Sequence, residues 1–225
     1  MTTPACQVYG FSGSPFVWRV LLALEEKQLE HSRTWIARAS GEHTSPAMLA
    51  RNPRGQLPVM TWGDVALHES LAICIFLELE RPRPPLLPGS AAARARALVL
   101  AHEADSYAGA AAMPALEAGL MRAPGAGLDD TDRARHRALH DELRRWEGYL
   151  QQDRSDFLAG DGFTLADIAL FPLVAFGVRC ELRLEPAFPA LARWYARIVE
   201  RPSTQASWPP HWRESPGRDF GLNET

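Results

Sequence analysis

Three short stretches of this 225-residue chain carry side chains whose types and spacing could do chemistry. The first is Phe11-Ser12-Gly13-Ser14-Pro15, directly after the short apolar run Gln7-Val8-Tyr9-Gly10. Serine followed by proline reads as a helix start, with serine at the N-cap and proline in the first turn. A hydroxyl is therefore expected at the N-terminus of a helix whose buried face carries Val17, Val20, Leu21 and Leu24 at 3.6-residue spacing. The second stretch is Arg51-Asn52-Pro53-Arg54-Gly55-Gln56-Leu57-Pro58-Val59. Proline at the mouth of a strand cannot donate to a ladder. A cis Leu57-Pro58 bond would turn the Leu57 N–H and C=O outward, free to pair with an extended peptide. The third stretch is Leu67-His68-Glu69-Ser70, in front of an apolar helix from Leu71 to Leu79. A helix N-terminus with a hydroxyl and free N–H groups binds a carboxylate, and Glu69 beside it would hold an ammonium. One edge for a peptide backbone and one pocket for a zwitterion suggest a small peptide ligand.

The elements that must position these residues follow from pattern. Gln7–Gly10 and Glu30–Ile36 read as strands, Pro46–Ala50 as a short helix, and the two apolar runs around Gly63-Asp64 as a β-hairpin. With the helices after Ser14 and Ser70, the order is β-α-β-α-β-β-α, a small α/β domain of residues 1–81. Residues 82–90 hold several prolines, Pro82, Pro84, Pro85 and Pro88, and read as a linker. Residues 91–225 then read as all-helical. One long helix from Ala91 to Leu120 is expected to kink at Pro114. Pro124–Gly127 reads as a loop. A helix from Asp130 to Gln152 would point Ala138, Leu139, Leu143, Trp146 and Leu150 inward. Thr164-Leu165-Ala166-Asp167 is a capping-box sequence before a helix apolar nearly all round, hence central and structural. A last helix is expected from Pro189 to Glu200. There are no internal repeats.

Composition narrows the function classes. An apolar fraction of 46% is that of an ordinary globular protein. A net charge of −3 argues against nucleic-acid binding, and no apolar run approaches the ~20 residues of a membrane span. No signal peptide is read in Met1–Cys6. Cys6, Cys74 and Cys180 form no Cys-x-x-Cys pair and read as reduced, buried thiols of a cytoplasmic protein. Cys6 precedes the first strand, away from the loop where a redox cysteine would be expected. His136 and His140, spaced i, i+4, have the separation of two zinc ligands on a helix but no third ligand; among Arg133, Arg135, Arg137 and Arg144 they read as a solvated face, and no metal is expected.

The whole arrangement resembles the cytosolic glutathione transferases: a thioredoxin-like α/β domain followed by an all-α domain. The resemblance is carried by Ser14-Pro15-Phe16 with Trp18-Arg19-Val20, by Asn52 to Pro58, by Glu69-Ser70, and by Phe163-Thr164-Leu165-Ala166-Asp167. The tail, Arg201-Pro202-Ser203, Ala206-Ser207-Trp208-Pro209-Pro210 and Glu214-Ser215-Pro216, is most similar to the rho class, while the start also looks like the tau and zeta classes. The resemblance implies a serine-type enzyme that ionises glutathione and conjugates it to a hydrophobic electrophile as a homodimer. It implies that Leu57 pairs its backbone with the cysteinyl residue behind a cis Pro58, and that Glu69 and Ser70 hold the γ-glutamyl group. His43 and Gln56 would reach the glycyl carboxylate, and Phe16 would contact glutathione beside Ser14. Delta-like enzymes carry a second histidine near the position of Gly55; here there is none.

Ser14 is the implied hydrogen-bond donor to sulfur, with Ser12 and Tyr9 as rivals. Phe11, Tyr107, Ala110, Met113 and Trp208 are candidates to line the electrophile's pocket, and core packing is the competing role for each. A glutathione-dependent isomerase or peroxidase on the same scaffold, and a binding protein without turnover, are the alternatives.

Overall fold

The computed structural model describes residues 5–123, 126–153 and 155–224. Pro124 and Gly125 of the expected loop, and Met1–Pro4 of the start, lie outside them. The chain forms two compact units, residues 1–86 with 202–214, and residues 87–201 with 215–225. This division differs from the one read in the sequence. Residues 82–86 and the segment 202–214 group with the α/β unit.

The first unit is a four-stranded sheet with the order β2-β1-β3-β4, made of β1 (Cys6–Gly10), β2 (Ser32–Trp35), β3 (Val59–Trp62) and β4 (Val65–His68). β2 runs parallel to β1, while β3 and β4 are antiparallel to their neighbours. Cys6, Val8 and Gly10 alternate inward along β1. The helices are α1 (Pro15–Glu26), α2 (Pro46–Leu49) and α3 (Ser70–Glu80). α1 and α3 pack on each other, and Val20, Leu21, Leu24, Ile73 and Leu77 along them are all buried. At the far end of this pair, buried Lys27 of α1 pairs with Glu78 of α3 and donates to the Pro84 carbonyl at 2.5 Å. Glu78 also accepts from the Leu86 N–H at 3.0 Å. The Pro-rich segment is thereby tied to the α/β unit, because a buried ion pair is stable only with its remaining hydrogen-bonding capacity filled.

The second unit begins with α4 (Ala91–Glu103), a π-helical turn (Ala104–Ala108) and α5 (Gly109–Met121). The irregularity in the expected long helix thus falls at 104–108, while Pro114 sits inside α5. α6 (Asp130–Asp153) buries Leu139, Leu143, Trp146 and Leu150 but exposes Ala138, against expectation. The central helix α7 (Leu165–Arg179) starts with the expected capping box and is buried along almost all its length. α8 (Pro189–Val199) has its N-terminus capped from another helix, and α9 (Pro202–Ser207) and α10 (Pro210–Glu214) follow it in the chain as part of the first unit. Buried Glu147 accepts from the N–H groups of Ala190 at 3.0 Å and Leu191 at 2.8 Å.

The solvated-face reading of His136 and His140 is corrected. His136 is fully buried, and its Nδ1 bonds the Glu224 carbonyl at 3.2 Å. His140 Nε2 bonds the Leu222 carbonyl at 2.8 Å. The two histidines share the stripe on which the chain's last residues lie, with Phe220 and Leu222 buried.

Candidate active site

Sheet register gathers the chemistry-bearing stretches. Tyr9 pairs with Val59, and Val59 with His68, in one row across β1, β3 and β4. Gly10 pairs with Trp35 at the end of parallel β2. The chain therefore leaves β1 into Phe11–Ser14, leaves β2 towards His43, enters β3 from Gln56–Pro58 and leaves β4 into Glu69–Ser70, all at one end of the sheet. A small core of Ile36, Met48 and Val59, with Tyr9, Phe11 and Leu57 against it, fills the same end.

Ser14 is the backbone N-cap of α1. Its φ and ψ are −67° and 126°, and its carbonyl accepts the first helical bond, from Trp18 N–H at 2.9 Å. Its side chain makes no capping hydrogen bond. At α2 the same dipeptide, Ser45-Pro46, behaves differently: Ser45 Oγ accepts from the Met48 N–H at 3.4 Å. Ser90 and Thr164 also cap their helices with their side chains. The first turn of α1 thus presents N–H groups and a half-exposed hydroxyl not used in capping. Ser12 is engaged, its Oγ 2.8 Å from His211 Nδ1. Tyr9 lies within β1, with the Arg51 guanidinium 5.3 Å over its ring.

The Leu57-Pro58 peptide is cis. Asn52, 2% exposed, shapes the approach to it. Its Nδ2 donates to the Gln56 carbonyl at 2.7 Å, and its Oδ1 accepts from the Arg54 N–H at 3.1 Å. Gln56 itself is exposed. His43 is half-buried, edge-on to Phe11 at 5.4 Å, and its buried Nδ1 has no hydrogen-bond partner.

At α3, Glu69 takes the N-cap position with φ +67°, the left-handed region that a non-glycine residue occupies at a cost of about 1–3 kcal/mol. Its side chain is exposed and caps nothing. Ser70 is buried, and Arg19 Nη1 from α1 donates to its Oγ at 3.4 Å. Arg19 is itself fully buried, with its guanidinium 4.9 Å over the ring of Phe16. The N-terminus of α3 makes this corner favourable to an anion.

Residues 13–80 match the family model described as Glutathione S-transferase, N-terminal domain, and residues 113–202 match Glutathione S-transferase, C-terminal domain. The chain is 38% identical over 214 residues to Glutathione S-transferase A of Pleuronectes platessa, an alignment covering 93% of this chain and 94% of that one. The chain belongs to the glutathione S-transferase family. A glutathione S-transferase from the Antarctic clam Laternula elliptica has the same fold, with a TM-score of 0.86 and 34% identity over 98% of this chain and all of that one. A theta-class glutathione S-transferase from Xanthomonas axonopodis pv. citri, solved with glutathione bound, superposes with a TM-score of 0.81 and 28% identity over 91% of this chain and 97% of that one.

Within this glutathione S-transferase the residues considered for the electrophile separate. Phe11 packs on the small core at the sheet end, with the Arg38 guanidinium 4.8 Å over its ring. Trp208 is half-buried, edge-on to the Trp18 ring of α1 at 5.1 Å. Both therefore have packing roles. In the second unit Tyr107 is 64% exposed, Ala110 exposed and Met113 half-buried, so Tyr107 and Ala110 leave apolar surface free. Cys6, Cys74 and Cys180 are all buried. Burial pushes the Cys6 thiol up to about 11, and in the second unit Cys180 up to about 12. Among the described residues no group of three His, Cys, Asp or Glu side chains is placed to hold a metal ion.

Sequence reasoning missed Asn52 as a brace, Arg19 as a buried cation beside Ser70, and His211 as the partner of Ser12. Asn52 and Arg19 lay inside quoted motifs, and an arginine in an otherwise apolar helix was a signal for the latter. No local signal points to His211, which is separated from Ser12 by 199 residues.

Proposed function

We propose that this protein is a glutathione transferase of the serine type, in which Ser14 donates a hydrogen bond to the glutathione sulfur. The observation that carries the reading is the Ser14 hydroxyl, held at the start of α1 and not spent on capping, where Ser45 in the same dipeptide is. A free thiol with a pKa near 8.5 is only about 3% ionised at pH 7. Lowering it by ~2 units requires about 2.7 kcal/mol of preferential stabilisation of the thiolate. A hydroxyl donor and a helix N-terminus both act in that direction. Serine serves as donor, and the nucleophile is the substrate's sulfur. The thiolate forms a carbon–sulfur bond to the electrophile, whose leaving group departs or whose double bond takes up the electron pair.

The remaining roles are those the family resemblance implies, and the gathering of these stretches at one end of the sheet supports them. Leu57, behind the cis Pro58, pairs its backbone with the cysteinyl residue. Glu69 holds the γ-glutamyl ammonium, while Ser70 and the α3 N-terminus favour its carboxylate. His43 and Gln56 serve the glycyl carboxylate, and Phe16 flanks the site beside Ser14. The exposed Tyr107 and Ala110, with Met113, offer apolar surface to a hydrophobic electrophile. The rho-like assignment rests on the Trp- and Pro-rich tail, and we assign the protein to the cytoplasm as a homodimer on the same family likeness.

The test is turnover of glutathione with chlorodinitrobenzene, compared in wild type and Ser14→Ala. Raising the thiol pKa by ~2 units cuts the ionised fraction at neutral pH roughly twentyfold, so kcat/KM should fall by that order. Wild type that binds glutathione but turns over no aryl chloride would contradict conjugation of this substrate class. Turnover of a maleyl substrate or a hydroperoxide in its place would assign the isomerase or peroxidase activity.

A further inference from the structure

We propose that His211 is a positioning residue of the sulfur site, acting through Ser12 to hold the turn that presents Ser14. The inference rests on the assignment of Ser14 as donor. Three contacts carry it. His211 Nδ1 lies 2.8 Å from Ser12 Oγ. Gly13 between the two serines has φ +82°, and a Cβ there would stand 2.9 Å from His211 Cε1 and 2.9 Å from Trp212 Nε1. The short helix α10 (Pro210–Glu214) is therefore seated against the backbone of the turn itself. Trp212, 9% exposed, packs edge-on to the buried Trp18 of α1 at 5.4 Å, which fixes α10 on the same helix that Ser14 begins. The turn is closed on its other side by the Ser14 N–H, which donates to the Phe11 carbonyl at 3.2 Å.

The chemistry of the pair also separates the two serines. The Ser12 hydroxyl is engaged with the His211 ring, whereas the Ser14 hydroxyl makes no capping hydrogen bond. Ser14 is then the hydroxyl of this turn assigned to sulfur. A strut of this kind matters because a donor misplaced by about 1 Å loses much of its effect on a developing or resident charge. His211 touches neither sulfur nor electrophile in this account. It sets where the touching group stands.

The experiment compares His211→Phe, His211→Asn, Ser12→Ala and Ser14→Ala in the full chain. Each variant is checked by thermal unfolding, then read by ultraviolet titration of the thiolate of bound glutathione and by kcat and KM with chlorodinitrobenzene. His211→Phe should raise the apparent thiol pKa by about one unit and lower kcat several-fold, with the KM for glutathione within about twofold. His211→Asn, which keeps a polar amide near the Nδ1 position, should stay close to wild type. Ser12→Ala should reproduce His211→Phe, and the Ser12→Ala/His211→Phe double variant should add nothing further. Equal effects of Phe and Asn, or an unmoved thiol pKa in His211→Phe while Ser14→Ala abolishes the shift, would overturn the positioning role and leave Ser14 as donor. A shift that survives Ser14→Ala would instead remove the donor assignment on which the role rests.

Discussion

Asp167 provides the sharpest stability test of the helical unit. It is fully buried in the first turn of α7, and its carboxylate accepts from four donors. Oδ1 takes the Leu158 N–H at 3.0 Å and the Trp194 Nε1–H at 2.8 Å. Oδ2 takes the Thr164 N–H at 2.8 Å and the Thr164 hydroxyl at 3.0 Å. Burial pushes its carboxyl up from the ordinary range, and these four donors oppose that push. In Asp167→Ala three N–H groups lose their acceptor in a dry interior, each at about 1–3 kcal/mol, while the threonine hydroxyl can turn to a new partner. Releasing a buried charge offsets part of this, so a net loss of about 4 kcal/mol is expected. For a chain of 225 residues that lowers Tm by about 8–16 °C. Asp167→Asn keeps one acceptor oxygen but turns an amide NH2 towards two donors, and should lose about half as much. Urea unfolding followed by tryptophan fluorescence measures both. An Asp167→Asn variant within about 0.5 kcal/mol of wild type would refute the claim that two charged acceptor edges are required.

Further predictions follow from single observations. His136 is held below its ordinary 6.5 mainly by burial, with the Arg122 charge adding to the effect and the bond to Glu224 opposing it. The unfolded chain therefore binds the extra proton first, so the stability His136 supports is complete above about pH 6.5 and is lost as pH falls towards its lower folded value. Thermal unfolding from about pH 7 to about pH 5 should show a steeper loss in wild type than in His136→Gln; equal slopes would contradict it. Glu69 holds a left-handed backbone with an exposed carboxylate, so Glu69→Gly should gain up to about 1 kcal/mol of stability while weakening glutathione binding by roughly tenfold. A variant with unchanged affinity in calorimetry would remove Glu69 from the site.

The fold was legible in the sequence where local rules dominate. Ser14-Pro15, the Gly63-Asp64 hairpin and the Thr164–Asp167 capping box each mark an element boundary through nearby backbone chemistry, and each lies where expected. What escaped depends on distant partners. Ser14 was readable as an N-cap, but that its hydroxyl caps nothing is a fact of side-chain direction. His136 and His140 sit among arginines in sequence, and only the returning tail shows that their stripe faces the last residues. Ala138 neighbours Leu139 yet points outward, because a step of one residue turns a helix through about 100°. The break at 104–108 carries no proline or glycine within it, whereas Pro114, the obvious breaker, is accommodated inside α5. Of the proposed site, the N-cap at Ser14, the cis Leu57-Pro58 bond and the start of α3 at Glu69-Ser70 lie where the sequence places them. The contacts of Asn52, Arg19 and His211 are ones that spacing does not encode.

The most direct test of the central claim is the pH titration of thiolate absorbance in the bound glutathione complex, in wild type and Ser14→Ala. The expected apparent pKa in wild type is about two units below the ~8.5 of a free thiol, returning towards that value in the variant. A shift of the same size in both proteins would contradict it.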